Sequence, residues 1–199
     1  MTFLVFNRWG SDVQVNDTGL KDYICLDAKL VLATQGRHVQ RAFGKMHLHV
    51  VERLVNNMMR GGTGEKISGR IIRGRGGTGK KTKMYNVVRY AFETISKKTG
   101  KNPIELLVRA IENAAPREET TRVQYGGIIV PIAVDVSPQR RLDLSLRNIA
   151  HAATIRSFDK KKKTSEALAE EIILASQRDA TSFAIARRVE TERISRSSR

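Results

Sequence analysis

Cysteine is nearly absent from this 199-residue chain: Cys25 stands alone, which excludes an intrachain disulfide and a cysteine-based zinc cage. Acidic residues are scarce beside basic ones. Twenty Asp and Glu face 36 Lys and Arg, leaving a formal charge of +16. A compact domain with that excess repels itself, and a polyanionic partner is the usual relief. Nucleic acid fits best, because each cation placed on a phosphate releases condensed counterions. An anionic membrane surface is the alternative, but no stretch is both strongly apolar and about twenty residues long, and no membrane partner is expected. The start, MTFLVFNRWG, has no basic leader and too short an apolar run for a signal peptide, and the expected compartment is the cytosol. His38, His47, His49 and His151 have no metal-ligand spacing, so neither a metal nor a cofactor is expected. Aromatics are only 6% against 40% hydrophobic residues, which points to an aliphatic core.

What the chain does have is helical periodicity. Residues 1–44 look like an irregular basic N-terminal extension ending in QGRHVQRAFGK, where Arg37, Arg41 and Lys45 meet no acid. A helical domain is expected over 45–199. Its first helix spans about 45–59, with Val51, Leu54, Val55 and Met58 in one stripe. A Gly/Arg-rich insertion follows at 60–82, and its many glycines argue for a mobile loop. Helices are expected over about 82–98 and from Asn102-Pro103, an N-cap followed by proline at the first helical position. The period then changes. TRVQYGGIIVPIAVDV, 121–136, reads as a β-hairpin turning at Gly126-Gly127, with Pro131 suited only to an edge strand. Helices resume over about 138–157, 165–177 and from 181. The expected fold is mainly α: a single helical domain of about six helices with one protruding β-hairpin arm.

Two stretches invite a chemical reading. GRGGTGKKTK, 74–83, resembles a phosphate-binding loop, but Lys81 occupies the place of the magnesium-binding hydroxyl and Thr82 comes one residue late. One residue on a helix turns the side chain by about 100°. The preceding SGRIIRG is a poor strand, and IAVD at 132–135 falls in the hairpin rather than in a parallel sheet. A loop gripping another polyanion is therefore favoured over a nucleotide site, with a plain solvated loop as the remaining alternative. DKKKK, 159–163, is either a solvated linker or a phosphate contact. No Ser–His–acid grouping or carboxylate pair stands out, and Asp135 and Asp143 read as a turn residue and a solvated helix residue. In the hairpin, Arg122, Tyr125 and the glycines could reach a groove or stack on a base, unless the hairpin folds back on the helices.

Several strings are more specific. HVVERLVNNMMRGG (49–62), GKKTKMYNVVRYAFETI (79–95), NPIELLVRAIENAAPREETTRV (102–123), AVDVSPQRRLDLSLRNIA (133–150) and SEALAEEIILAS (165–176) resemble the small-subunit ribosomal protein seven family, the universal uS-seven type. The likeness covers about residues 20–199. The leader WGSDVQVNDTGLKDYI and the end ERISRSSR resemble the archaeal and eukaryotic branch, and the long insertion resembles archaeal members. The resemblance implies a helical, non-enzymatic protein with its arm between the third and fourth helices. It implies direct binding to small-subunit rRNA, nucleation of the head (3′ major) domain, and a cytoplasmic place at the subunit interface near the decoding region. It further implies that the hairpin lies near exit-site tRNA and outgoing mRNA, with a uS-eleven-type protein as neighbour. By matched motif, the implied rRNA contacts are Arg37, Arg41, Lys45, Lys80, Lys81, Lys83, Arg117, Arg140, Arg141 and Arg147. Arg122, Tyr125, Gly126 and Gly127 form the arm near tRNA and mRNA. Arg73 and Arg75 join the rRNA set on charge alone.

Overall fold

A computed structural model describes residues 4–61, 66–67, 70–71, 79–158 and 160–199; for 66–67 and 70–71 it describes the backbone. The leader holds one helical turn, α1 (Thr18–Lys21), capped by the Asp17 carboxylate, which accepts from the Gly19 amide. Two 3-10 turns follow, Arg37–Gln40 and Gly44–His47. The leader is not loose. Val5, Leu20, Ile24 and Leu32 are buried in the same core as the helices, and Phe6 and Trp9 pack edge-on against Phe92.

Helix α2 (Val50–Met59) begins five residues later than the periodicity predicts. His49 stops it from extending backwards: its backbone is extended and its ring Nδ1 accepts from the Val51 amide, an unusual residue in the N-cap role. Val51, Leu54, Val55 and Met58 are buried, as the stripe requires. A two-residue antiparallel pair, β1 (Lys66–Ile67) and β2 (Arg70–Ile71), lies in the insertion. The rest of the expected mobile loop, 62–65, 68–69 and 72–78, lies outside the described residues, and Arg73 and Arg75 with it.

Helix α3 (Lys81–Thr99) buries Met84, Val88, Ala91, Phe92 and Ile95, and ends at Gly100, whose φ of 67° suits glycine. Helix α4 (Pro103–Ala114) starts as its sequence dictates: the Asn102 side chain accepts from the Ile104 amide, and Pro103 fills the first helical position. Leu107, Val108 and Ile111 are fully buried, each contributing about 1.5–3 kcal/mol.

The hairpin pairs β3 (Glu118–Tyr125) with β4 (Ile128–Asp135), starting three residues before its expected boundary. Gly126 and Gly127 make the turn with φ of 53° and 92°, the two positive values a tight hairpin needs. Pro131 sits opposite Arg122. The outer half of the arm is exposed on both faces, so it projects rather than folding back. Three helices complete the fold: α5 (Pro138–Ser157), α6 (Thr164–Ser176) and α7 (Phe183–Ser197). Helix α6 is central, touching α3, α4, α5 and α7. Its buried Glu171 accepts from the Ser182 hydroxyl and the Ala184 amide, fastening the start of α7. Among the described residues, six helices of ten or more residues and one hairpin arm make the mainly α fold the sequence predicts; α1 is the addition.

Candidate nucleic-acid interface

Helix α2 is the post around which the basic segments gather, and two buried charges on it do the fastening. Glu52 is fully buried, and its Oε1 accepts from the Thr34 amide (2.9 Å), the Thr34 hydroxyl (3.1 Å) and Lys81 Nζ (2.6 Å). One carboxylate thus ties the leader, α2 and the first turn of α3 together. One residue further on, Arg53 is almost wholly buried; its guanidinium donates to the Tyr23 carbonyl at 3.2 Å and to Asp143 of α5 at 2.9 Å. Asp143 also accepts from Lys45 at 2.5 Å. Asp143 is therefore not the solvated helix residue its sequence suggests but a bridge between three segments. Burial alone would raise its pKa; the bonds from Lys45 and Arg53 outweigh that and hold the carboxyl below its ordinary range.

These ties place several cations at the surface. Arg37 and Arg41 of the leader, Lys80 and Lys83 at the start of α3, and Arg147 of α5 are exposed and have no acidic partner among the described residues. Arg147 lies one helical turn beyond Asp143, on the side of α5 that Lys45 reaches. Arg140, one turn before Asp143, is exposed but paired with Glu119 at the root of the arm (2.7 Å). Arg117 is exposed, with its backbone amide donating to Glu192. In the arm, Arg122, Tyr125, Gly126 and Gly127 are all exposed. Of the lysine run, Lys160, Lys161 and Lys163 are exposed, whereas Lys162 is ion-paired with Glu170.

Two of the cations singled out by motif have internal work instead. Arg141 is buried; its Nε donates to the Pro116 carbonyl (3.2 Å) and its NH2 to Asp17 (2.6 Å), clamping the leader to α5 and to the end of α4. Asp17 is held below its ordinary pKa because bonding to Arg141 outweighs burial. Lys81 is half-buried against Glu52. Sequence reasoning misses both uses, and also the burial of Arg53, because the partners lie far along the chain: Asp17 is 124 residues from Arg141.

The nucleotide-loop alternative lacks its scaffold. Lys80 and Lys81 open α3, but every strand among the described residues pairs antiparallel, so the parallel sheet that such a loop requires is not found among them. No group of three His, Cys, Asp or Glu capable of holding a metal ion occurs among the described residues. No helix among them is long and apolar enough to cross a membrane.

A helical body, a projecting arm and a set of unpartnered cations held around α2 fit the class of basic, polyanion-binding proteins. Comparison with known proteins narrows the class. Residues 21–199 match the family model described as ribosomal protein S7p/S5e. The chain is 50% identical over 195 residues to the small ribosomal subunit protein uS7 of Methanothermobacter thermautotrophicus, covering 98% of each chain. It is 46% identical over 198 residues to the small ribosomal subunit protein uS7 of Methanosphaera stadtmanae, covering 99% of each. The chain belongs to the S7p/S5e family of ribosomal proteins, in its archaeal branch.

Proposed function

We propose that this protein is a structural constituent of the small ribosomal subunit, acting in the cytoplasm by scaffolding rRNA rather than by catalysis. The names of its relatives support the subunit. Direct rRNA binding is supported by one observation above the others: Arg37, Arg41, Lys80, Lys83 and Arg147 come from three distant parts of the chain, are exposed, and have no acidic partner among the described residues. A rigid helical body sets the spacing of these cations, and RNA phosphates complete their pairing. Arg140, exposed but already paired, joins by exchanging a carboxylate for a phosphate, while Lys45 keeps Asp143 and offers its remaining ammonium hydrogens. Arg117 extends the surface toward the arm. Arg141 and Lys81 support it from within.

The finer reading follows the family resemblance. The protein nucleates folding of the head domain by joining several rRNA helices at once, and it sits at the subunit interface near the decoding region. The arm, with Arg122, Tyr125 and the Gly126-Gly127 turn, reaches toward exit-site tRNA and mRNA, and a uS-eleven-type protein is a neighbour. Its exposed glycines allow close backbone approach to RNA.

Binding of the full chain to a head-domain rRNA transcript tests this. Five phosphate contacts give a log–log salt slope of about −3 to −5. An affinity unchanged between low and moderate salt would sink the reading.

A further inference from the structure

The segment from Arg37 to His47 carries more than cations. Phe43 is 80% exposed and Val39 is 76% exposed, so neither side chain contributes to the core. The Phe43 backbone is left-handed, with φ of 55° and ψ of 14°, a conformation that bulky residues rarely adopt. The fold nevertheless enforces it. Gly44 is buried against the preceding 3-10 turn, and a Cβ there would lie 2.0 Å from the His38 carbonyl oxygen. The Gly44 amide donates to the Arg41 carbonyl, and the Met46 amide donates to the Phe43 carbonyl at 2.9 Å. Both ends of the segment are anchored, through Thr34 to Glu52 and through Lys45 to Asp143. A strained backbone therefore holds an aromatic ring out in solvent, between the exposed cations Arg41 and Lys45.

That combination selects a ligand. An apolar protein surface seated on the ring would bury Arg41, and Arg37 near it, with no acidic partner among the described residues, which is unfavourable; Lys45 already has Asp143. An unpaired nucleotide supplies both needs, a π face for the ring and phosphates for the cations. We propose that Phe43 stacks on an unpaired base of small-subunit rRNA while Arg37 and Arg41 hold the neighbouring phosphates. The inference rests on the rRNA-binding function proposed above and adds a stacking contact to it.

The test compares the full-length protein with Phe43→Ala, Phe43→Leu and Phe43→Trp on a head-domain rRNA transcript across a range of salt. Because the ring is exposed, all three variants should fold, as circular dichroism would verify. Alanine and leucine are expected to weaken binding about 5- to 100-fold, leucine because it is apolar but has no π face. The salt slope should not change, since no phosphate contact is removed. Tryptophan should bind within about three-fold of the native protein, and its fluorescence should be quenched by the transcript beyond the signal of Trp9, which all the proteins share. Binding of Phe43→Ala within two-fold of native, or of Phe43→Leu as tight as native, would overturn the stacking. Native protein that binds with no salt dependence would instead overturn the broader rRNA reading, and the stacking with it.

Discussion

Replacing Glu52 by alanine is the sharpest way to ask whether the basic surface is built or merely present. The substitution removes three bonds to one buried carboxylate, at 2.9, 3.1 and 2.6 Å, from Thr34 N, Thr34 Oγ1 and Lys81 Nζ. Hydrogen bonds to a charged group contribute roughly 1.5–3 kcal/mol each. They do not all count in full. Lys81 keeps 29% of its side chain exposed and can rehydrate, and the burial penalty of the carboxylate disappears with it. The Thr34 amide loses its acceptor outright. A net loss of about 2–3 kcal/mol follows, which for a protein of this size lowers Tm by about 4–12 °C. Glu52→Gln keeps an acceptor for Thr34 and should lose about half as much. Urea and thermal unfolding by circular dichroism give the magnitude, and amide exchange over residues 34–47 shows whether the leader detaches first. A Glu52→Ala loss below about 0.5 kcal/mol, with exchange at 34–47 unchanged, would refute the fastening role.

Two further predictions concern charge. His49 is buried, and burial first and Lys29 second push its pKa down to about 4 from 6.5. The unfolded chain thus takes up this proton before the folded one, so the contribution is full above pH 6.5 and lost progressively as pH falls toward 4, about 3 kcal/mol in all. Asp17 and Asp143, held below the ordinary carboxylate value of 3.8, lose their contributions only at still lower pH. His49→Asn keeps an N-cap and should flatten the slope of unfolding free energy between pH 6.5 and 4; an unchanged slope would count against the assignment. Arg141→Ala and Arg147→Ala should behave oppositely. Removing Arg141 strands Asp17 and the Pro116 carbonyl and costs about 2–3 kcal/mol, whereas removing Arg147 changes stability by less than about 0.5 kcal/mol but reduces the rRNA salt slope by about 1. Equal stabilities for the two variants would contradict the division into supporting and contacting cations.

The sequence by itself determined the elements and pointed to a polyanionic partner. Stripes such as Ile104, Leu107, Val108 and Ile111, the Asn102-Pro103 start and the Gly126-Gly127 turn are local signals, and local backbone preferences acted on them much as written. The charge of +16 needs no structure to imply a polyanion. Where a local signal was atypical, the boundary moved: His49, rarely an N-cap, delayed α2 by five residues. Tertiary structure alone decided what each cation does. Arg140 and Arg141 are neighbours in one motif, yet helical geometry turns them by about 100° relative to each other, leaving Arg140 at the surface and Arg141 against Asp17. Lys81 and Lys83 part in the same way, one against Glu52 and one in solvent. Whether a basic residue is free for RNA depends on acids tens of residues away that only packing brings near. Gly44, beside the exposed Phe43, is likewise pressed against the His38 carbonyl, a contact that no spacing along the chain announces.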